Sequence, residues 1–150
     1  MKRISLFCLF VIIVLMTFGC GGGDKQGKEP SQQEIYMIYN SLNGRYTEVL
    51  DFYEALQNKK VSKFDWRIIA DSSKSSSERY VKNLEGSQDP AAPKLIALAN
   101  DIIAFTTELE QNVDKGADVD WSYKEKIESQ IEAMKPEMEA LREKLMNQSQ

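Results

Sequence analysis

The sequence predicts an all-α domain in residues 31–150, folded as an antiparallel four-helix bundle with up-down-up-down topology. Three observations support this fold class. After Pro30, apolar residues recur every three or four positions in four segments of roughly 24–27 residues. Capping or stop residues bound these segments. The connections between them are short and polar, which favours antiparallel neighbours.

The first segment predicts a helix from about residue 32 to 58. Ser31 and Glu34 have the spacing of a capping box, in which each side chain satisfies a backbone amide at the helix start. At 100° per residue, the main apolar side chains fall within one narrow arc. They are Ile35, Ile38, Tyr39, Leu42, Tyr46, Val49, Leu50, Tyr53 and Leu56.

The second segment leaves two interpretations open. A Ser62 cap and the apolar residues Val61, Phe64, Trp66, Ile68 and Ile69 start it, and Tyr80, Val81 and Leu84 finish it before Gly86. Residues 71–79 between them carry no apolar side chain and are rich in serine, a mediocre helix former. One continuous helix is favoured over a break near Ser75.

The third segment has an N-terminal and a C-terminal signal. Asp89 followed by Pro90 predicts a cap with proline at the first helical position. Gly116 predicts a left-handed stop. The residues that share one face of this helix are Leu95, Leu98, Ala99, Ile102, Thr106, Leu109 and Val113.

The fourth segment predicts a helix from about 122 to 147. Ser122 and Glu125 have capping-box spacing. Pro136 points away from the apolar seam, so we expect it to kink the helix gently from its solvent side. The seam steps by three and four residues through Ile127, Ile131, Met134, Met138, Leu141 and Leu145.

The N-terminus is typical of a secretory signal peptide, assigned to residues 1–19. A basic head, Met1-Lys2-Arg3, precedes an apolar run from Ile4 to Phe18 and the small residue Gly19. The run is shorter than the roughly 20 residues that a membrane-spanning helix needs.

Residues 15–20, Leu-Met-Thr-Phe-Gly-Cys, resemble the lipobox of bacterial lipoproteins. The resemblance implies cleavage before Cys20, a diacylglycerol on its thiol and an acyl chain on its freed amine. We expect no cofactor, and the covalent lipid on Cys20 is the only group that we expect to be attached to the chain. Gly21, in place of Asp, implies the outer membrane facing the periplasm rather than the inner membrane. Two alternatives remain: an uncleaved anchor from Ile4 to Gly23, and a plain signal peptide in which Cys20 is incidental.

Residues 20–30 read as a lipid-anchored flexible linker, because they are polar, rich in glycine and without periodicity. The chain beyond residue 19 carries 17 basic and 23 acidic residues, a formal charge of −6. That charge argues against nucleic acid as a partner.

The sequence offers little for catalysis or metal binding. It contains no histidine, which removes His-dependent catalysis and the usual zinc, haem and di-iron sites of bundles. Asp114, Asp118 and Asp120 cluster before the fourth helix but do not follow the spacing of an EF-hand loop. We therefore expect no catalytic residue, metal site or enzymatic activity.

The serine-rich middle of the second helix is one candidate site. On a continuous helix, Ser73 and Ser76 lie on the arc of Ile69, Tyr80 and Leu84 and would face the core. With Tyr80 and Thr106 they could line a polar pocket. The favoured interpretation is that small residues let the helices approach closely, with hydroxyls bonded to the carbonyl four residues back.

Tyr36 and Phe52 lie off the central arc of the first helix, which makes them candidates for contact with a partner. Lys59, Lys60, Lys63 and Arg67 form a basic patch at the end of the bundle away from the linker. Such a patch can steer a partner protein, although exposed lysines at a turn usually serve solubility.

We therefore expect a membrane-anchored envelope protein with a non-enzymatic, structural or protein-binding helical domain. A protein partner in the envelope and the membrane itself, through the lipid, are the expected contacts. The alternative is a ligand-binding or sensory bundle with a polar pocket at its middle.

Overall fold

A computed structural model describes residues 29–148, which contain four α-helices and no strand. The helices are α1 (Gln32–Gln57), α2 (Lys63–Leu84), α3 (Ala92–Lys115) and α4 (Ser122–Asn147). The predicted all-α four-helix fold is confirmed, and α2 runs through its serine-rich middle without a break. The predicted signal peptide, Cys20 and most of the predicted linker lie outside the described residues.

Consecutive helices pack antiparallel around one core. The Lys94 ammonium on α3 contacts the Glu137 carboxylate on α4 at 2.7 Å, and the Tyr39 hydroxyl on α1 donates to the carbonyl of Ile131 on α4 at 3.2 Å. α2 and α3 make the most extensive contact between two helices. α1 also contacts α3, across the middle of the bundle. Within residues 29–148, α2 and α4 make no close backbone approach.

The core contains the apolar arcs that the sequence predicts for α1, α3 and α4. Its largest fully buried side chains include Trp66, Phe105, Leu42, Leu95, Leu98, Ile102, Leu109 and Ile127. Four aromatic pairs continue this core towards the α3–α4 connection, with ring centroids about 6 Å apart. Pro136 is exposed inside α4, so its missing amide faces away from the core as expected.

Two of the three predicted serine caps of the bundle are present. Ser31 with Glu34 and Ser62 with Asp65 each form both hydrogen bonds of a capping box. The capping box predicted at Ser122 was wrong. Trp121 is the N-cap and makes no side-chain cap, because Ser122 is already helical and its amide donates to Asp120 at 3.0 Å.

The prediction that the third helix begins at Asp89-Pro90 was also wrong, because the helix begins two residues after Pro90. The Asp89 carboxylate accepts the amide of Ala91 at 2.8 Å, and its carbonyl accepts the amide of Ala92 at 3.0 Å. These bonds close a turn before the helix, which begins at Ala92 with Pro93 in its first turn. Gly116 ends α3 at φ 69°, as predicted.

The first described residue is tied to the bundle. The Glu29 carboxylate accepts hydrogen bonds from the Ser87 hydroxyl and from the amides of Gln88 and Asp89. These donors hold the pKa of Glu29 below its usual range. The end that contains residue 29 and the α2–α3 connection is called the proximal end below. The end that contains the α1–α2 and α3–α4 connections is called the distal end.

Candidate functional site

The serine-rich face of α2 packs closely against its neighbours. Ser73 is wholly buried, as predicted, while Ser76 is only half-buried. The second core-facing position belongs to Ser77, which is wholly buried. Trp66 and Ala70 define the buried line of α2, which is rotated by about one residue from the arc drawn through Ile69 and Tyr80.

The hydroxyls at this contact, which include that of Thr106 on α3, differ in their partners. Tyr80 is half-buried and its hydroxyl lies 2.7 Å from that of Ser41 on α1. Thr106 donates to the carbonyl four residues back, at 2.7 Å. Ser73 Oγ and Ser77 Oγ have no hydrogen-bond partner among the described residues, so the expected bonds to the preceding turn are not formed there.

Tyr36 lies in a groove between α1 and α4 with a volume of about 270 Å³. Polar and charged side chains line most of this groove, including Asn40, Asn43, Glu132 and Arg142. Tyr36 is half-buried and packs on the edge of the core. Tyr36 is therefore accessible from the surface, in agreement with its predicted position off the central arc.

Phe52 is half-buried and also packs against the core. A second groove, of about 240 Å³, lies at the proximal end between α1 and α4 and has a largely apolar floor that includes Ile35, Ala91 and Leu141. Neither groove brings Tyr36 or Phe52 together with Ser73, Ser76 or Tyr80. The five candidate residues therefore do not form one site.

Charged groups connect the helices at the distal end. Arg67 on α2 pairs with Asp114 on α3, and the Lys63 ammonium donates to the carbonyl of Val113 at 2.7 Å. The guanidinium of Arg67 holds the pKa of Asp114 below its usual range. The Asp120 carboxylate accepts the amide of Ser122 at the start of α4. Two members of the aspartate cluster thus have structural partners.

Two large apolar side chains point into solvent at the same end. Phe64 is 71% exposed and Ile68 is 51% exposed, although both belong to the apolar group that starts α2. Each lies about 160° around the helix from the buried Trp66, since residues advance by 100° per position. If Trp66 is taken as the centre of the buried face of α2, the sequence alone predicts that Phe64 and Ile68 lie on the outer face.

The described residues show no arrangement of three or more acidic or cysteine side chains suited to hold a metal ion. Nor is any described helix long and apolar enough to cross a membrane.

Comparisons with known proteins give no family. No family model, curated protein or solved structure matches this chain.

Proposed function

We propose that the protein is a lipid-anchored component of the bacterial envelope whose helical domain acts by contact with other proteins, without catalysis. The observation that carries the protein-contact part is the exposure of Phe64 and Ile68 at the distal end. Exposed bulky side chains that lie next to each other mark interaction sites when the surrounding surface is polar.

The anchor part rests on the sequence around Cys20 and on the geometry of the linker. Glu29 is bound at the proximal end, and eight residues, 21–28, separate it from Cys20 in the sequence. A coil of eight residues spans about 14–17 Å on average. An anchored domain would therefore stay close to the membrane, with its distal end facing away. Gly21 further supports the outer membrane, facing the periplasm.

The anchor is tested with a matched pair of cysteine variants of the full-length chain. Cys20→Ser removes the proposed lipid attachment point, so we expect the protein to leave the membrane fraction. Cys8→Ser changes a cysteine that the signal peptide would carry away, and we expect unchanged fractionation. Wild-type membrane association of Cys20→Ser would rule out the lipid.

A ligand-binding or sensory bundle is the second candidate, favoured by the buried polar atoms of α2. Ser73 Oγ, Ser77 Oγ and Trp66 Nε1 are buried and lack a partner in the described part of the chain. A polar ligand that reached them would stabilise the native state, because binding to the folded protein raises its melting temperature. A thermal-shift screen with a metabolite library tests this candidate, and a specific stabiliser whose effect is lost in Ser73→Ala would favour it.

A further inference from the structure

The outer face of α2 presents an apolar pair at its distal end. Phe64 and Ile68 are four residues apart, so their side chains lie next to each other on one side of the helix. Both are more than half exposed, while Trp66 between them is wholly buried. The pair has the size of the small apolar anchors that fill pockets on a partner protein.

Basic residues flank this pair along an otherwise acidic chain, and one of them, Arg67, is paired with Asp114. Residues 59–68 contain four basic residues and one acidic residue, whereas the chain beyond residue 19 carries a formal charge of −6. The acidic residue, Asp65, faces Ser62, whose amide and hydroxyl both donate to its carboxylate. Lys59 and Lys60 are exposed and form no ion pair with any residue from 29 to 148.

The backbone of Lys59, just beyond the end of α1, has a conformation that is unusual for a lysine. Its φ is 56°, in the left-handed region, and no other non-glycine residue of the described chain has a positive φ. Lys59 follows the cap of α1, where the amides of Lys59 and Lys60 donate to Leu56 and Ala55. Glycine is the residue that fits this position without strain. A lysine held in a strained backbone suggests a role for its side chain.

We propose that Lys59, Lys60, Phe64, Arg67 and Ile68 form a docking surface, the distal patch, for an acidic protein segment that carries apolar side chains. This inference rests on the proposed protein-contact function and specifies the chemistry of the partner. Charge complementarity favours an acidic partner, and the apolar pair supplies the contact that excludes water. A protein segment fits better than an anionic bilayer, because a bilayer would also face and repel the acidic remainder of the domain.

A photocrosslinking amino acid at position 64 of the full-length chain in cells tests which molecule covers the distal patch. The same group at position 37 is the control, since Met37 is 60% exposed on α1 outside the patch. We expect position 64, and not 37, to crosslink to one protein segment in which acidic residues outnumber basic ones. A crosslink to lipid or to a second copy of this chain would overturn the proposal.

Binding of a synthetic peptide with the crosslinked sequence to the purified full-length protein provides the quantitative test. We expect Phe64→Ser to weaken binding by about tenfold or more, and rising salt to weaken it further. Met37→Ser should bind as wild type does. Lys59→Gly should raise the melting temperature, because it relieves the left-handed lysine, and yet bind more weakly.

The outcomes separate this inference from the proposed function. A crosslinked segment that is neutral or basic, or peptide binding that Phe64→Ser and salt leave unchanged, overturns the distal patch alone. Protein crosslinks from other exposed positions but not from 64 do the same. If a scan of exposed positions over all four helices yields no protein crosslink, the protein-contact function falls as well.

Discussion

The Tyr53 hydroxyl on α1 donates a 2.7 Å hydrogen bond to the amide oxygen of Asn112 on α3. Asn112 in turn donates through its Nδ2 to the carbonyl of Ala117, also at 2.7 Å. One asparagine therefore joins the end of α1, the end of α3 and the α3–α4 connection. The ring of Tyr53 also packs edge-on against Trp66 and Trp121. This arrangement fixes the distal end from inside.

Tyr53→Phe keeps the ring and removes the hydrogen bond to Asn112. We expect the free energy of unfolding to fall by about 1 kcal/mol, the usual net value of such a bond. Tyr36→Phe is the control, since the Tyr36 hydroxyl has no hydrogen-bond partner among the described residues. Urea unfolding of both variants measures the difference, and equal stabilities would show that the Tyr53–Asn112 bond contributes nothing.

The two serines with capping-box spacing at α2 and α4 should respond differently to alanine. Ser62 accepts the amide of Asp65 at 3.1 Å, so Ser62→Ala should cost about 1 kcal/mol of stability. Ser122 lies inside α4 and caps nothing, so Ser122→Ala should change stability by no more than about 0.5 kcal/mol. Thermal unfolding distinguishes them, and a larger loss for Ser122→Ala would contradict the observed start of α4.

Gly44 lies in the interior of α1, where an added Cβ would meet no atom within 4 Å apart from its chain neighbours and the adjacent backbone of its own helix. Gly44→Ala should therefore stabilise the protein by about 0.5–1 kcal/mol, because alanine loses less backbone entropy on folding. Gly86→Ala is the matched opposite, since Gly86 has φ 80° and alanine is strained there. Its melting temperature should fall, and a rise in both variants would contradict these backbone conformations.

The raised pKa of Tyr46 predicts that the protein loses stability at alkaline pH. Burial and the hydrogen bond to Glu128 raise the pKa of its phenol above the ordinary value. The protonated phenol therefore contributes stability that is fully present below the unfolded pKa of about 10 and is lost as pH rises through the folded pKa. Burial raises the pKa values of Tyr39 and Tyr53 in the same direction.

Urea unfolding between pH 8 and pH 11 measures this effect. The free energy of unfolding should fall over that range for the wild type, and the fall should be smaller for Tyr46→Phe. An identical fall in the two proteins would show that Tyr46 does not carry it.

The fold could be predicted because its signals are local and repeated. Ser31, Ser62 and Gly116 act within one helical turn, and the apolar arcs of α1 and α4 extend over several turns. The bounds of α4 agree with the predicted range of about 122 to 147, but the capping box at Ser122 does not form. Trp121 occupies the N-cap, and its ring packs edge-on against Phe105 and Tyr53, residues far away in the sequence, so a local pattern could not predict this cap.

The candidate sites were harder to predict than the fold, because the exposure of a side chain depends on how far its helix is rotated about its axis. The arc through Ile69 and Tyr80 placed Ser76 in the core, whereas packing of Trp66 and Ala70 puts Ser77 there. The same rotation brings Phe64 to the surface. An error of one position is enough to exchange buried and exposed residues on α2, and only the packing of α2 against α1 and α3 determines it.

Crosslinking in living cells followed by mass spectrometry tests a lipid-anchored, protein-binding bundle most directly. The wild-type chain should fractionate with membranes and crosslink reproducibly to the same envelope protein or proteins, and these neighbours should be lost or reduced in Cys20→Ser. A membrane-bound wild-type chain with no reproducible protein neighbour would contradict the protein-contact function.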